Sequence, residues 1–332
     1  REYFFMKKKR ILSGMQPSGR MHLGNLIGAL QNWIKLQEED ECFFFVADWH
    51  AMSTNYENTK DIRENITQLL IDWFACGLDP EKSTIFIQSR VEEHALLYLL
   101  LSMITPVSWL ERNPTYKEQI TQIKNKDLST YGFLGYPVLQ SADILSYKAN
   151  AVPVGIDQLP HLELTREIAR RFNFLYNAKL VEPEPLLTNI PKLPGTDGRK
   201  MSKSYNNAIY LSDPQDVFEN KVKNLITDPA RVRRTDKGNP DVCTVFVFHK
   251  IYSSADEVNQ IDKDCRGAGI GCTDCKKRLV ERMKISMKPI WEKREALLSY
   301  PKKVMDIAEA GSAKAKKIAA ETLNEVKEAI GI

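Results

Sequence analysis

The stretch that decides the fold is Arg10-Ile-Leu-Ser-Gly-Met-Gln-Pro-Ser-Gly-Arg-Met-His-Leu-Gly-Asn25. Its apolar beginning predicts a strand, Gly14 and Gly19 predict a turn, and residues 24–37 have the spacing of a helix. A glycine-bearing turn between a first strand and a first helix lets a ligand approach the backbone, and the helix N-terminus presents free N–H groups to phosphate. The stretch therefore predicts a phosphate-binding turn at the start of an α/β domain.

Strands and helices alternate outward from this turn. Residues 42–47 are a continuous apolar run, which is typical of a strand buried on both faces of a parallel sheet. Residues 59–76 have amphipathic helical spacing and end at the stop signals Gly77 and Pro80, and residues 83–88 predict the next strand. The predicted fold class is α/β, with a Rossmann-like, doubly wound parallel sheet.

Helical spacing dominates from about residue 216 onward. Residues 279–299 and 313–330 both predict helices, and the second of these has a clear apolar face. We predict a Rossmann-like catalytic domain over residues 6–212 and an α-helical domain over residues 213–332, each long enough to bury its own core.

Composition excludes several classes of protein. The 332 residues are 43% hydrophobic and 27% charged, as in an ordinary globular enzyme, and no apolar run approaches the roughly 18–20 residues of a membrane span. The net charge of +4 permits an RNA partner without requiring one. The charged start lacks the apolar stretch of a secretory signal, so we expect a cytoplasmic protein, with Met6 as the natural start and residues 1–5 as an extension of unassigned origin.

A second motif, Lys200-Met-Ser-Lys-Ser204, follows a loop that contains Gly195 and Gly198. Two lysines three residues apart in a glycine-bounded loop can direct two ammonium groups at a triphosphate, where they stabilise charge in the transition state. A solvated basic loop is the alternative interpretation.

Together, His22-Leu-Gly-Asn25 and Lys200-Met-Ser-Lys-Ser204 resemble the two signatures of class I aminoacyl-tRNA synthetases. Residues 14–19, 136–143 and 152–158 resemble the tryptophan branch of that family, and the resemblance runs from about residue 10 to the C-terminus. Two positions depart from the family pattern: Asn25 stands where a second histidine is usual, and Ile156 stands where an acidic residue is frequent.

The resemblance implies an enzyme that activates L-tryptophan with ATP and Mg²⁺ and transfers it to tRNA(Trp), without a covalent enzyme intermediate. It further implies a homodimer whose interface is an insertion over about residues 54–129, and a helical domain that reads the anticodon. Catalysis would depend on positioning and charge.

The resemblance also implies site residues. For Lys117 an exposed helix lysine is the alternative, and for His50 a histidine satisfied within the core. The implied catalytic residues are His22, Asn25, Lys117, Lys200 and Lys203. The implied ATP-binding residues are Gln16, Ser18, Gly24, Asn25, Gly155, Asp157, Gln158, Lys200, Met201, Ser202, Lys203 and Ser204. The implied tryptophan-binding residues are Gly14, Gln16, His50, Tyr136, Gln140, Asp143, Val152 and Val154.

The chemistry of Asp143 supports its assignment to the tryptophan site independently of the resemblance. Asp143 lies in a mainly apolar helical stretch, and a buried carboxylate needs a partner. The indole N–H of tryptophan only donates and a carboxylate only accepts, so the two match. The alternative is an aspartate that is paired with a lysine or a backbone group of the protein.

Four of the six cysteines form a cluster: Cys243, Cys265, Cys272 and Cys275. In a cytosolic protein such a cluster predicts a metal site with four thiolates, which both Zn²⁺ and an iron–sulfur cluster accept. The spacing resembles that of a subset of bacterial tryptophan enzymes with a [4Fe–4S] cluster, so we expect that cluster, with Zn²⁺ as the alternative. Backbone N–H groups of three nearby glycines are expected to face the sulfides: Gly267, Gly269 and Gly271.

Basic residues flank the cysteines and predict contact with tRNA phosphates, or alternatively a solvated face. They are Arg231, Arg233, Arg234, Lys237, Lys276, Lys277 and Arg278.

Three rival functions are weighed against this prediction. A tyrosine–tRNA ligase would share the architecture, since an aspartate could accept from a phenol, but residues 14–19 and 136–143 oppose it. A nucleotidylyltransferase without tRNA is opposed by the basic helical C-terminal third. A non-catalytic, RNA-binding iron–sulfur protein is opposed by the intact lysine loop.

Overall fold

The computed structural model describes residues 8–122, 127–187 and 193–332. The predicted start at Met6 and the extension before it lie outside this part of the chain. Among the described residues, no helix combines the length and the apolarity that crossing a membrane would require.

The described strands form a five-stranded sheet in the order β3-β2-β1-β4-β5, and every pairing is parallel. The strands are β1 (Arg10–Met15), β2 (Glu41–Val46), β3 (Ser83–Ile87), β4 (Ala151–Val154) and β5 (Glu184–Leu187). The chain runs outward from β1 to β3 and then returns to the other side of β1, which creates a switch point between β1 and β4. The prediction of a doubly wound parallel sheet is confirmed, and ligands of such sheets bind outside the carboxyl ends of the strands at the switch point.

Helices cover the sheet and form the C-terminal part. The helices before β4 are α1 (Leu23–Asn25), α2 (Gln31–Glu39), α3 (Asp48–Asn55), α4 (Ile62–Cys76), α5 (Glu93–Ser102), α6 (Val107–Arg112), α7 (Pro114–Gln122) and α8 (Tyr131–Ser146). Those after β4 are α9 (Leu159–Tyr176), α10 (Gln215–Lys223), α11 (Thr244–Tyr252), α12 (Ala255–Arg266), α13 (Cys272–Leu298) and α14 (Pro301–Ile330). A π-helical segment, Leu26–Leu30, joins α1 to α2.

The last helix returns to the sheet. Gly311 of α14 lies against the backbone of β3 so closely that a Cβ there would collide with the carbonyl oxygen of Ile85. The hydroxyl of Ser312 accepts a hydrogen bond of 3.2 Å from the N–H of Ile87. The helix therefore covers the edge strand and satisfies one of its otherwise unpaired groups.

The helix α13 contacts the helix α4 through a partly buried ion pair. Arg294 Nε is 2.7 Å from Asp72 Oδ1 of α4, and a second guanidinium nitrogen donates to Gln68 Oε1 over 2.6 Å. Burial raises the pKa of Asp72 above its ordinary value, and Arg294 opposes that rise. The helices α4 and α13 lie on the two sides of the predicted domain boundary at residue 212. The two predicted domains therefore pack against each other and share an ion pair.

The predicted insertion over residues 54–129 begins too early. The strand β3 lies within that range and pairs with β2 in the sheet. Residues 88–122 and 127–129 follow β3 and contain no strand of the sheet, and their role as a dimer interface stays a prediction.

Candidate active site

A cavity of about 330 Å³ opens at the switch point, beside the carboxyl ends of β1 and β4. We call it the switch-point cavity. The backbone of Gly14 lies close to the ring of Phe45, and a Cβ at this position would be 2.5 Å from that ring, so a larger residue would force the ring to move. All eight residues that were predicted to bind tryptophan line this cavity: Gly14, Gln16, His50, Tyr136, Gln140, Asp143, Val152 and Val154.

Asp143, on α8, is the charged group at the base of this cavity and is only 1% exposed. His50 Nε2 lies 2.7 Å from Oδ2, His94 Nδ1 lies 2.6 Å from Oδ1, and Gln88 Nε2 donates to both oxygens at 2.8 and 3.0 Å. Burial alone would raise the pKa of Asp143, but the hydrogen bonds from His50 and His94 hold it below its ordinary value. The carboxylate therefore already has protein partners, but they are the side chains of two histidines and a glutamine and not the lysine or backbone group that the alternative interpretation named.

A third histidine, His161, also lines the cavity. Its Nε2 is 3.0 Å from the hydroxyl of Tyr136, and its Nδ1 is 3.2 Å from the side-chain amide of Asn113. Burial lowers the pKa of His161 to about 4, so the ring is neutral near pH 7. The neutral ring holds the Tyr136 hydroxyl at the edge of the cavity.

A smaller pocket of about 200 Å³ lies beside the cavity and shares Gln16 with it. We call it the lysine pocket, and it is lined by Met15, Gln16, Ser18, Gly19, Met21, Asn25, Leu69 and Lys203. The ammonium group of Lys203 donates to the carbonyl oxygen of Ser18 at 3.0 Å and lies 3.2 Å from its hydroxyl. The two sequence motifs, almost 200 residues apart, therefore meet in one pocket. Burial lowers the pKa of Lys203 to about 8.

The turn before α1 is closed by a reciprocal pair of hydrogen bonds. The N–H of Asn25 donates to His22 Nδ1 at 3.3 Å, and the N–H of His22 donates to Asn25 Oδ1 at 3.1 Å. Burial and then the charge of Lys203 lower the pKa of His22 to about 4. His22 is therefore neutral near pH 7, and it is the N-terminal cap of this helix.

The lysine loop is held by a buried residue that sequence reasoning missed, Asn207. Its amide donates to Asp197 Oδ1 at 2.7 Å and to the Lys200 carbonyl at 3.2 Å, and its Oδ1 accepts from the Ser202 N–H at 2.8 Å. Within the predicted motif, Met201 is buried, Ser202 and Ser204 share a 2.8 Å hydrogen bond, and Lys200 is exposed.

The remaining predicted ATP-binding residues lie at the rim of the cavity. Gly155, Asp157 and Gln158 follow β4, and Gln158 also lines the switch-point cavity. The hydroxyl of Thr115 donates to the Asp157 carbonyl at 3.1 Å and joins α7 to this rim. Lys117 is exposed one turn along α7, and its catalytic role stays a prediction.

The four clustered cysteines lie near one another at the start of α13 and in the segments that pack against it. Burial, followed by the neighbouring Cys243, Cys265 and Cys272, raises the pKa of the Cys275 thiol to about 12. Within residues 8–122, 127–187 and 193–332, however, no three His, Cys, Asp or Glu side chains are already arranged to hold a metal ion.

The surroundings of the cysteines correct two predictions. The guanidinium of Arg231 is buried and donates to the carbonyl oxygens of Arg234 and Ile270 at 2.9 and 2.7 Å, so it clamps the loop and does not face phosphate. The N–H groups of Gly267 and Gly269 cap α12 by donating to carbonyl oxygens of residues 263 and 264, so they do not face the sulfurs.

A cavity beside a pocket lined by a loop lysine, both at one switch point, is the arrangement of a class I aminoacyl-tRNA synthetase. The family of tRNA synthetases class I (W and Y) matches residues 6–287, and the chain belongs to this family. The predicted family and enzyme class are thereby confirmed.

Three similar proteins belong to the tryptophan branch of this family. The tryptophan–tRNA ligase of Thermotoga maritima is 54% identical over 325 residues, covering 97% of this chain and 99% of that protein. The tryptophan–tRNA ligase of Aquifex aeolicus is 44% identical, covering 97% of this chain and 100% of that protein. The crystal structure of tryptophanyl-tRNA synthetase from Campylobacter jejuni, complexed with ADP and tryptophan, superposes with a TM-score of 0.89 at 33% identity, covering 97% of this chain and all of that one.

Proposed function

We propose that the chain activates L-tryptophan with Mg-ATP and transfers it to tRNA(Trp). Family membership makes the chain an aminoacyl-tRNA ligase, and its relatives at up to 54% identity over nearly the whole chain are tryptophan–tRNA ligases. The observation that carries the proposal is the buried carboxylate of Asp143 on the wall of a cavity that shares Gln16 with the lysine pocket. An amino acid in the cavity would thus be adjacent to a nucleotide phosphate.

The first reaction step is a substitution at phosphorus. A carboxylate oxygen of tryptophan attacks the α-phosphate of Mg-ATP, the bond to the bridging oxygen breaks, and pyrophosphate leaves. Lys203 and Lys200 would neutralise the growing negative charge, and the neutral His22 with the amide of Asn25 would position phosphate oxygens. Gly24, Met201, Ser202 and Ser204 would shape the nucleotide site around them.

In the second step, the terminal 2′-hydroxyl of tRNA attacks the carbonyl carbon of the adenylate, and AMP leaves. Neither step requires a covalent bond to the protein. We propose that Lys117 approaches the phosphates and that Gly155, Asp157 and Gln158 contact the adenosine, since these residues surround the open rim of the cavity.

Exchange of labelled pyrophosphate into ATP, measured with each of the twenty amino acids in turn, tests the proposal. Exchange that depends on tryptophan is the expected result. Exchange with tyrosine in preference to tryptophan would assign the chain to the other specificity of its family. ATP turnover that needs no amino acid would favour a nucleotidylyltransferase.

We further propose that Cys243, Cys265, Cys272 and Cys275 hold a [4Fe–4S] cluster. The donor set fits, because four thiolates suit this cluster as well as Zn²⁺, and the other three cysteines lie close enough to Cys275 to contribute to its raised pKa. A cluster there would cross-link the start of α13 to the loops before it. Anaerobic purification with iron and acid-labile sulfide analysis tests this: four of each per chain is expected, and one zinc without sulfide would refute the cluster.

The helical C-terminal part is proposed to bind tRNA and its anticodon. Arg233, Arg234, Lys277 and Arg278 are exposed around the cysteines and would present positive charge to phosphates. Since ATP and tRNA are its substrates, the ligase is proposed to act in the cytoplasm.

A homodimer is proposed from exposed apolar side chains within residues 88–129. Leu96, Leu99, Met103 and Val107 are 46%, 51%, 71% and 55% exposed, and grouped apolar side chains of this kind are typical of protein interfaces. Light scattering of the chain and of Leu99→Glu would test this, with a dimer expected for the first and a monomer for the second. A monomeric parent chain would refute it.

A further inference from the structure

The side chains behind Asp143 form a buried hydrogen-bonded chain that the chemical steps do not use. The imidazole of His94 lies between the carboxylate of Asp143 and the hydroxyl of Tyr147, with both heavy-atom distances at 2.6 Å. His94 and Tyr147 are both completely buried, and neither lines the switch-point cavity. Their hydrogen bonds can therefore affect a ligand in the cavity through Asp143, which does line it.

The direction of each hydrogen bond follows from the chemistry of its acceptor. An ionised carboxylate only accepts, so His94 Nδ1 carries the proton and donates to Asp143. The other nitrogen, Nε2, is 2.6 Å from the hydroxyl of Tyr147 and accepts a hydrogen bond from it when the imidazole is neutral. Burial raises the pKa of Tyr147 well above its ordinary value, which keeps the proton on its oxygen.

Aromatic rings fix the orientation of the His94 imidazole. The ring meets Phe45 and Phe86 edge-on at interplanar angles of 71°, and Tyr147 at 65°, with centroid distances of 6.3, 6.0 and 5.4 Å. Phe45 and Phe86 lie opposite each other on β2 and β3. Rotation of the imidazole would break both of its hydrogen bonds and these ring contacts together.

Gln88, at the end of β3, supports the carboxylate from a second direction. Its Nε2 donates to both oxygens of Asp143, while its Oε1 accepts from the N–H of His50 at 3.4 Å. An inverted amide would point its oxygen at the carboxylate and its NH₂ at a donor. The amide is therefore fixed in the orientation that binds Asp143.

His50 is the partner of Asp143 that lies at the cavity. Its Nε2 is 2.7 Å from Oδ2, and it lines the cavity, whereas Gln88 and His94 are 0% exposed. Asp143 also lines the cavity, so a ligand N–H that reaches it would approach beside His50, while the two deeper partners stay in place.

We propose that His94 is a positioning residue for amino-acid specificity: with Tyr147 behind it, His94 fixes the Asp143 carboxylate so that one acceptor position faces an indole N–H. This inference rests on the proposed function, in which the cavity takes tryptophan. Loss of the buried chain would let the carboxylate turn and would weaken the distinction between a ligand that donates there and a ligand that does not.

The probe is β-(benzothiophen-3-yl)alanine, in which sulfur replaces the indole N–H. Pyrophosphate exchange gives the ratio of kcat/KM for tryptophan to that for the analogue. We expect His94→Gln to lower this ratio about tenfold or more, as for one lost partner of a buried hydrogen bond, and Tyr147→Phe to lower it by a smaller factor. Ser141→Ala is the matched control, because Ser141 is buried on α8 and bonds to Thr165 and the Pro137 carbonyl but not to Asp143.

The outcomes separate the inference from the function on which it rests. Ratios in His94→Gln and Tyr147→Phe that equal the parent's, with lowered thermal stability as in Ser141→Ala, would overturn the inference. A His94→Gln chain that fails to fold leaves Tyr147→Phe to decide. A parent that activates tryptophan but does not prefer it to the analogue overturns the inference and leaves the function intact, whereas a parent that does not activate tryptophan refutes the function.

Discussion

The switch-point cavity and the lysine pocket adjoin each other, yet they hold their charged groups in opposite ways. Asp143 is bound by three side chains from three elements and is almost inaccessible. Lys203 is hydrogen-bonded to the neutral oxygens of a single serine, Ser18. The anion is fixed before any substrate arrives, whereas the cation has partners that a phosphate can outcompete.

This difference separates two tasks. A fixed buried acceptor discriminates between ligands, because a ligand without the matching donor leaves that acceptor unpaired. A cation with weak protein partners can transfer its hydrogen bonds to a phosphate as charge develops there. The cavity is therefore expected to govern selection of the amino acid, and the lysine pocket the rate of the chemical step.

The largest expected effect is that of Asp143→Ala on selection. Removing the acceptor should reduce the preference for tryptophan over phenylalanine by about 10⁴-fold. Amino-acid-dependent pyrophosphate exchange measures the ratio. Because the change also leaves the donors of His50, His94 and Gln88 without their acceptor, Asp143→Asn and a thermal melt should accompany it. Selection of tryptophan at the parental level would show that Asp143 is not the indole acceptor.

Lys203→Ala should have the next largest effect, and on rate alone. Losing a contact made mainly in the transition state should cost about 3–4 kcal/mol, and the affinity for tryptophan should change little. Rapid-quench measurement of adenylate formation gives the rate, and Lys82→Ala, a surface lysine paired with Glu38, is the control. A raised KM with normal turnover would contradict the assignment.

Cys272→Ser tests a residue that lines neither the switch-point cavity nor the lysine pocket. The cysteines lie in the helical part, so their loss should leave tryptophan-dependent pyrophosphate exchange nearly intact and lower the rate of tRNA charging. The two assays are run on the same preparation, with Cys42→Ser, a buried cysteine in β2, as the control. Equal loss in both assays would mean that the cysteines stabilise the whole fold.

The smallest effect concerns pH. With the pKa of Lys203 lowered to about 8, its ammonium group is charged below that pH and loses its proton above it. The kcat/KM for adenylate formation should therefore fall as pH rises through about 8. In Lys203→Arg the guanidinium stays charged, so this fall should disappear. A parental pH profile of kcat/KM that is flat through this range would show that Lys203 is not the group whose titration controls the rate.

Strands of the sheet could be predicted because a buried strand is indicated by the composition of its own few residues. The apolar run at 42–47 and the strand at 83–88 required only their own composition, and both are strands close to the predicted bounds. The eight predicted tryptophan-binding residues converge on one cavity because the motif resemblance carried long-range information that composition does not contain.

The partners of Asp143 could not be predicted, because they depend on packing between distant elements. His94 looks like any histidine of an apolar helix, and its role appears only when α5 packs against α8. Gln88 offered one signal, since a polar residue at the carboxyl end of a parallel strand is well placed for a site. Asn207 and Arg231 act through backbone carbonyls, which no side-chain pattern reveals.

The central claim, that the two pockets act separately on one substrate, is tested most directly by the double variant Asp143→Asn with Lys203→Ala. The measurement is kcat/KM for tryptophan and for phenylalanine in pyrophosphate exchange, in the parent, both single variants and the double variant. We predict that Lys203→Ala lowers both values by the same factor, in either background, so that the tryptophan-to-phenylalanine ratio follows Asp143 alone. A ratio that changes with Lys203, or losses that fail to multiply, would contradict the account.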